Sequence, residues 1–164
     1  MTLPATGAGG AAEAKAVADA GPERIRVLFV STGDSIRSQM AAAILRRDAG
    51  DRFEALSGGT DPRPVDPLTV RVLSEVGLDL GDATSKPVTS FLGKPIDYVV
   101  TLCDRARDRC PVFPSNAETL HWGLDDPAEV SGPDEQRLSA FRRTLTEVSG
   151  RIRAFVPLAT LAAR

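Results

Sequence analysis

The sequence predicts an α/β protein, a single-domain three-layer α-β-α sandwich around a four-stranded parallel sheet. Three observations carry that expectation. Apolar runs alternate with segments of helical period, the β-α-β-α order that builds a parallel sheet covered on both faces. The first run is nearly all apolar, as strands buried on both sides are. The chain has 164 residues, enough to bury one core and most simply a single domain.

The elements follow in order. Residues 1–23 are rich in Ala and Gly and poor in large apolar groups. They cannot offset their own ordering entropy and are expected to be a disordered extension, although "AAEAKAVADA" could form a loose helix. The folded domain is expected over residues 24–157, with a short tail at 158–164. "IRVLFV" is the first strand. The helix after it carries Met40, Ala41, Ile44 and Leu45 on one face and ends at Gly50. "FEALSGG" is a second strand that stops at a Gly pair. Asp66-Pro67 opens a second helix with a cap and a first-turn proline, and Gly77 closes it. "IDYVVTL", Ile96 to Leu102, is the third strand and "ETLHWG" the fourth. Pro133-Asp134-Glu135 starts the last helix, whose Leu138, Phe141, Leu145, Val148, Ile152 and Phe155 recur at helical steps.

Composition narrows the function. A net charge of −2 leaves no basic face for nucleic acid or an anionic membrane. No apolar run approaches the ~18 residues that cross a bilayer, and no basic start with an apolar block marks a secretory signal. Two cysteines, Cys103 and Cys110, make no disulfide scaffold, and the expected location is the cytoplasm.

Ligands of parallel α/β sheets bind beyond the carboxyl ends of the strands. Both the loop after the first strand and the segment after Leu102 lie there. "VLFVSTGDSIRSQM" runs from a strand through a Gly/Ser/Asp loop into a helix. Such a loop turns backbone N–H groups into one hollow, and the helix N-terminus adds partial positive charge. Thr32, Gly33, Asp34, Ser35, Ile36 and Arg37 would line the cradle. Gly33 admits close backbone approach, Asp34 tolerates a left-handed conformation, and Arg37 can fork two hydrogen bonds onto a tetrahedral oxyanion. A plain β-α turn with a solvated Arg explains the spacing equally well.

The residues carry a resemblance that favours the first of these readings. "VLFVSTGDSIRSQMA" resembles the active-site loop of the low-molecular-weight tyrosine phosphatase superfamily, within it the thioredoxin-coupled arsenate reductases. The pattern there is a Cys, five residues, then Arg-Ser, and here Arg37 and Ser38 stand six and seven residues after Ser31. "TSKPV", "DYVVTLCDRARDRCPVFP" and "LHWGLDDPA" resemble the same branch in the same order, so the likeness spans about residues 24–156.

The resemblance implies a low-molecular-weight-phosphatase-like fold and a set of roles. Ser31 stands at the nucleophile position, Arg37 at the oxyanion-binding Arg, and Ser38 at the hydroxyl that hydrogen-bonds the nucleophile. Asp126 matches the phosphatases' general acid, although Asp-Pro by itself reads as a turn. Cys103 and Cys110 match the two further thiols of the reductase relay, which hands its oxidation to thioredoxin as reductant. Without the family they read as packing thiols. No metal and no other cofactor is implied, since "CDRARDRC" and the lone His121 lack zinc-ligand spacing.

Three loop positions depart from the pattern. Ser31 replaces the Cys, Asp34 stands where Asn is usual, and Ile36 stands where Cys or Ala is usual. A loop thiol can ionise near neutral pH, whereas a serine hydroxyl needs a base and cannot form a disulfide with Cys103. A carboxylate at the rim of the cradle would repel a dianion unless protonated or paired, with Lys86 a candidate partner. The favoured expectation is therefore a pseudoenzyme that holds arsenate, phosphate or sulfate, is blocked as a reductase, is at most a very weak phosphatase, and serves in arsenic response. The alternative is an active thioredoxin-coupled arsenate reductase present here as a Cys-to-Ser variant. A third reading has Cys103 and Cys110 binding arsenite or switching as a redox disulfide.

Overall fold

The computed structural model describes residues 23–114 and 116–163. The expected disordered extension falls almost wholly outside them. Four strands form one parallel sheet: β1 (Ile25–Ser31), β2 (Phe53–Gly59), β3 (Tyr98–Thr101) and β4 (Glu118–His121), in the order β2-β1-β3-β4. The helices are α1 (Arg37–Ala49), α2 (Pro67–Glu75), α3 (Asp104–Arg109) and α4 (Asp134–Ala162).

Residue alternation along β1 builds two cores from one strand. Val27 and Phe29 face the larger core with Met40, Ile44, Leu73, Phe141 and Ile152. Leu28 and Val30 face the smaller one with Val88, Phe91, Ala106 and Phe113. All four β1 side chains are fully buried, which is why the strand reads as apolar throughout. Helices α1, α2 and α4 cover one face, and α3 with the short turn Val88–Phe91 covers the other. The three-layer parallel sandwich is thus the observed architecture.

The ends of the elements follow their local chemistry. The Asp66 carboxylate accepts from the Leu68 N–H at 2.9 Å and caps α2 ahead of Pro67. Gly77, at φ +81°, takes the left-handed turn that ends α2. The third strand is shorter than expected, because only Tyr98–Thr101 pair with neighbours. The last helix is longer. It passes through Pro157 to Ala162, so residues 158–162 are helix rather than tail. Burial of Ala159 in the main core continues the stripe begun by Leu138 and Phe155, and that packing outweighs the hydrogen bond Pro157 cannot donate.

Gly59 shows what the Gly pair is for. A Cβ there would sit 2.8 Å from the Thr32 carbonyl oxygen and 2.9 Å from the Asp34 nitrogen. The end of β2 therefore presses directly on the loop after β1. Gly59→Ala is expected to displace that loop and cost about 1–3 kcal/mol of stability, measured by denaturant unfolding.

Candidate functional site

Beyond the carboxyl ends of β1 and β3 lies a cavity of about 650 Å³. In the order β2-β1-β3-β4, the chain leaves β1 to one side for β2 and later returns to its other side for β3, and such a switch point opens a crevice. Ser31, at the last position of β1, and Thr32, Gly33, Ser35, Ile36 and Arg37 line it, with Cys103 and Asp126 facing them.

The loop's orientation is fixed by its carbonyls. Ser31 O accepts from the Thr60 N–H, Thr32 O from Asp61, Gly33 O from Arg63, and Ser35 O from Asp66 and the Thr69 hydroxyl. Asp34 O accepts from the Ser85 hydroxyl and the Gln39 amide. Each planar peptide with its carbonyl held outward turns the following N–H the other way, and the Asp34 N–H so turned meets Ser31 Oγ. Helix α1 starts at Arg37 with no side-chain cap and no acidic residue in its first turn, so its positive end is left to the cavity.

Arg37 is the cation of the site. It is only 8% exposed. One terminal nitrogen donates to the Leu124 carbonyl at 3.0 Å, and the other lies 3.9 Å from Asp126 Oδ2. Its Nε is buried with no hydrogen-bond partner. An unmet charged donor in a cavity of this kind is costly unless an acceptor arrives from outside. Asp126 is the turn residue its Asp-Pro pair suggests, and it also lines the cavity. Its Oδ1 caps the turn Pro127–Glu129 through the Ala128 N–H at 2.9 Å, while Oδ2 faces Arg37 across the cavity.

Ser31 and Ser38 are joined at 2.7 Å, and the Ser38 hydroxyl donates to Asp34 Oδ1 at 2.7 Å. The Asp34 N–H donates to Ser31 Oγ at 3.2 Å. Asp34 adopts the left-handed conformation, φ 49°, which places its side chain behind the loop rather than at the rim. The expected repulsion of a bound dianion at the rim therefore does not arise in that form. The carboxylate is fully buried and also accepts from the Lys86 N–H at 2.9 Å and from the Ser57 hydroxyl, with Lys86 Nζ 3.8 Å away. Burial pushes the Asp34 carboxyl above its ordinary 3.8, against the pull of Ser38, Lys86 and Ser57.

That upward shift sets a sign. Between the unfolded and the folded value, the unfolded chain releases the proton first, so stability falls as pH rises through that window. Asp34→Asn should therefore raise the melting temperature at neutral pH, and the gain should fade as the pH falls toward 4. Melting curves of both forms across that range check it. An unchanged difference at every pH would contradict the assignment.

Ile36 lines the cavity and packs at the edge of the main core. Cys103 Sγ lies 3.4 Å from the Thr32 hydroxyl. Cys110 is absent from the cavity wall, half-buried, with its thiol pushed up by burial. Cys103 and Cys110 occupy the N-cap and C-cap positions of α3, with no side-chain cap from Cys103, and their Cα atoms stand about 10 Å apart by helix rise. That exceeds the ~7 Å limit between disulfide-forming Cα atoms, so one arsenic or one disulfide bridging both needs α3 to unwind. His121 is engaged by the Thr101 hydroxyl at 2.8 Å and Asp104 at 2.9 Å, away from Ser31. Among the described residues, no group of three or more His, Cys, Asp or Glu could hold a metal, and no helix is long and apolar enough to cross a membrane.

Arg63 and Arg105 also line the cavity and were not picked out from sequence. Arg63 lies four residues after the Gly pair in "GGTDPRP", and its own N–H donates to the Gly33 carbonyl; that proximity to the strand end is the one signal that could have found it.

Comparisons with known proteins place this arrangement. The family model for low molecular weight phosphotyrosine protein phosphatase matches residues 26–164. The arsenate reductase of Halalkalibacterium halodurans is 41% identical over 129 residues, 79% of this chain and 93% of that protein. The arsenate reductase of Bacillus subtilis is 36% identical over the same shares. Among solved structures, the Corynebacterium glutamicum thioredoxin-dependent arsenate reductase superposes with TM-score 0.69 at 29% identity, covering 92% of this chain and 73% of that one. An arsenate reductase in a phosphate-binding state superposes with TM-score 0.65 at 28% identity, covering 81% and 97%.

Proposed function

The chain belongs to the low molecular weight phosphotyrosine protein phosphatase family, as an arsenate-reductase-like member, and from that premise we propose that it binds a tetrahedral oxyanion without reducing it. Arsenate, phosphate and sulfate are the ligand class. The observation that carries the reading is the buried, partnerless Nε of Arg37 at the mouth of a loop whose carbonyls all face away. A tetrahedral anion supplies acceptors for that Nε, for the second terminal nitrogen and for the loop amides together. Reduction of arsenate needs two electrons from a thiol pair, beginning at position 31. Ser31 brings oxygen there and forms no sulfur–arsenic bond and no disulfide with Cys103.

A role in arsenic response, as a sensor or sequestering protein, follows from binding without turnover. Two half-buried free thiols suit a reducing, cytoplasmic setting.

A second reading is favoured by one observation. Cys103 faces the loop from the opposite wall of the same cavity, where a resolving thiol would stand. On that reading the chain is a Cys-to-Ser form of an active reductase that draws on thioredoxin, as the Corynebacterium glutamicum relative does. The codon at position 31 in the native gene separates the two. Calorimetric titration with phosphate and arsenate tests the binding itself. Saturable heat at one site is expected, and no heat with either anion would end the proposal.

A further inference from the structure

Ser31 is not left without a base. Ser38 Oγ has one proton, and the geometry gives it to Asp34 Oδ1 at 2.7 Å. At the 2.7 Å contact between the two hydroxyls, Ser31 is then the donor. Its remaining contact inside the loop is accepted from the Asp34 N–H at 3.2 Å. The Ser31 proton is therefore directed at Ser38, one lone pair is taken by the Asp34 N–H, and the second has no partner among the described residues, in a residue that lines the cavity. We infer that Ser31, Ser38 and Asp34 form a proton relay that makes Ser31 a nucleophile toward phosphate monoesters, with a phosphoserine intermediate. The inference rests on the oxyanion-binding reading, since the same cradle must hold the phosphoryl group.

The identity of residue 34 sets the direction of the chain. A carboxylate can only accept, so Ser38 donates to it and must accept from residue 31. An amide at 34 would turn its oxygen to the Lys86 N–H, which is 2.9 Å from Oδ2, and its N–H₂ to Ser38. Ser38 would then donate to residue 31. That arrangement suits a nucleophile that is already an anion, such as a thiolate. The carboxylate suits one that must lose a proton, such as a hydroxyl. Serine at 31 and aspartate at 34 are matched to each other in this sense. The charged group facing the Asp34 carboxylate is Lys86, 3.8 Å away, beside the Ser57 hydroxyl. Asp34 acts through Ser38 and does not touch the substrate.

The steps balance. Ser31 Oγ bonds to phosphorus as the phosphorus–oxygen bond to the leaving alcohol or phenol breaks. The Ser31 proton passes to Ser38 Oγ, whose own proton passes to Asp34. The leaving oxygen keeps the bonding electron pair and takes a proton from water. Water then attacks the phosphoserine, Ser31 Oγ leaves and recovers its proton from Asp34 through Ser38, and inorganic phosphate departs. No redox partner is needed.

The test uses the full chain and p-nitrophenyl phosphate, whose leaving group needs little protonation. Acid-quenched protein analysed by peptide mass spectrometry should carry phosphate on Ser31. Asp34→Asn and Ser38→Ala should each slow its formation by about 10²-fold, the range of general base catalysis. In a Ser31→Cys background the sign should reverse, with Asp34→Asn speeding phosphoryl transfer to the thiol. A purely structural Asp34 would shift both backgrounds the same way, and that result overturns the relay. Phosphate titration of each variant shows whether the cradle is intact. Phosphate bound with no label on Ser31 refutes the relay and leaves the cradle standing. No phosphate bound by the unmodified chain refutes both.

Discussion

Arg37→Ala is expected to remove measurable binding of phosphate and arsenate, while the sheet and both cores stay folded. The guanidinium supplies the one buried positive charge of the cavity wall and its unmet Nε donor. Truncating one side of a hydrogen-bonded charge pair costs about 2–5 kcal/mol, roughly 30- to 5,000-fold in affinity at 1.36 kcal/mol per tenfold. Arg37→Lys should recover only part of it. Lysine keeps a charge but presents a point donor where a planar fork is needed, and it reaches Leu124 O and the anion together poorly. Calorimetric titration of the three forms reads the effect. Undiminished affinity in the Ala form would move the binding site elsewhere.

Ser31→Cys is the second large effect, and it is a gain. A thiol at position 31 would sit at the end of β1, beside the first turn of α1 and behind the bound oxyanion. It could displace an arsenate oxygen and form a sulfur–arsenic bond. Cys103, facing the loop near Thr32, could then attack that sulfur and release arsenite, leaving a disulfide. Cys110 would need α3 to unwind before it could resolve that disulfide toward thioredoxin. The single variant should nevertheless be slow, because Asp34 holds the Ser38 proton that a thiolate requires. Ser31→Cys with Asp34→Asn should exceed it by at least tenfold in arsenite formed per minute with thioredoxin, its reductase and NADPH, with thiolate ionisation as the rate-setting difference. Equal rates would show that Asp34 does not govern the thiol.

The parallel sandwich was legible in the sequence because local chemistry writes it: Val27 to Val30 are apolar since both faces of β1 are covered. The Gly/Ser/Asp loop leading to Arg37 fits a plain turn equally well, and only its resemblance to a known active-site loop set it apart. Lys86 was a candidate partner for Asp34 and stands 3.8 Å from it, but most other contacts across long separations escaped. Asp34 meets the Lys86 backbone and Ser57 only after β2 and the segment before β3 have folded against the loop, so its turn from the rim to the interior could not be read locally. Gly59 looked like a strand terminator until the loop it supports was in place. The domain was expected to end at residue 157, yet Ala159 packs in the main core and the helix continues to Ala162. The Cys103–Cys110 spacing, in turn, did not reveal that an intact α3 stands between the thiols.

The central claim is that a tetrahedral guest is held here by a site with no sulfur to reduce it. Arsenite released by the unmodified chain, measured with saturating arsenate, thioredoxin, thioredoxin reductase and NADPH, tests it most directly. The expected reading is the level seen without the protein, although arsenate binds. Sustained release of arsenite, abolished by Cys103→Ala, would contradict the account.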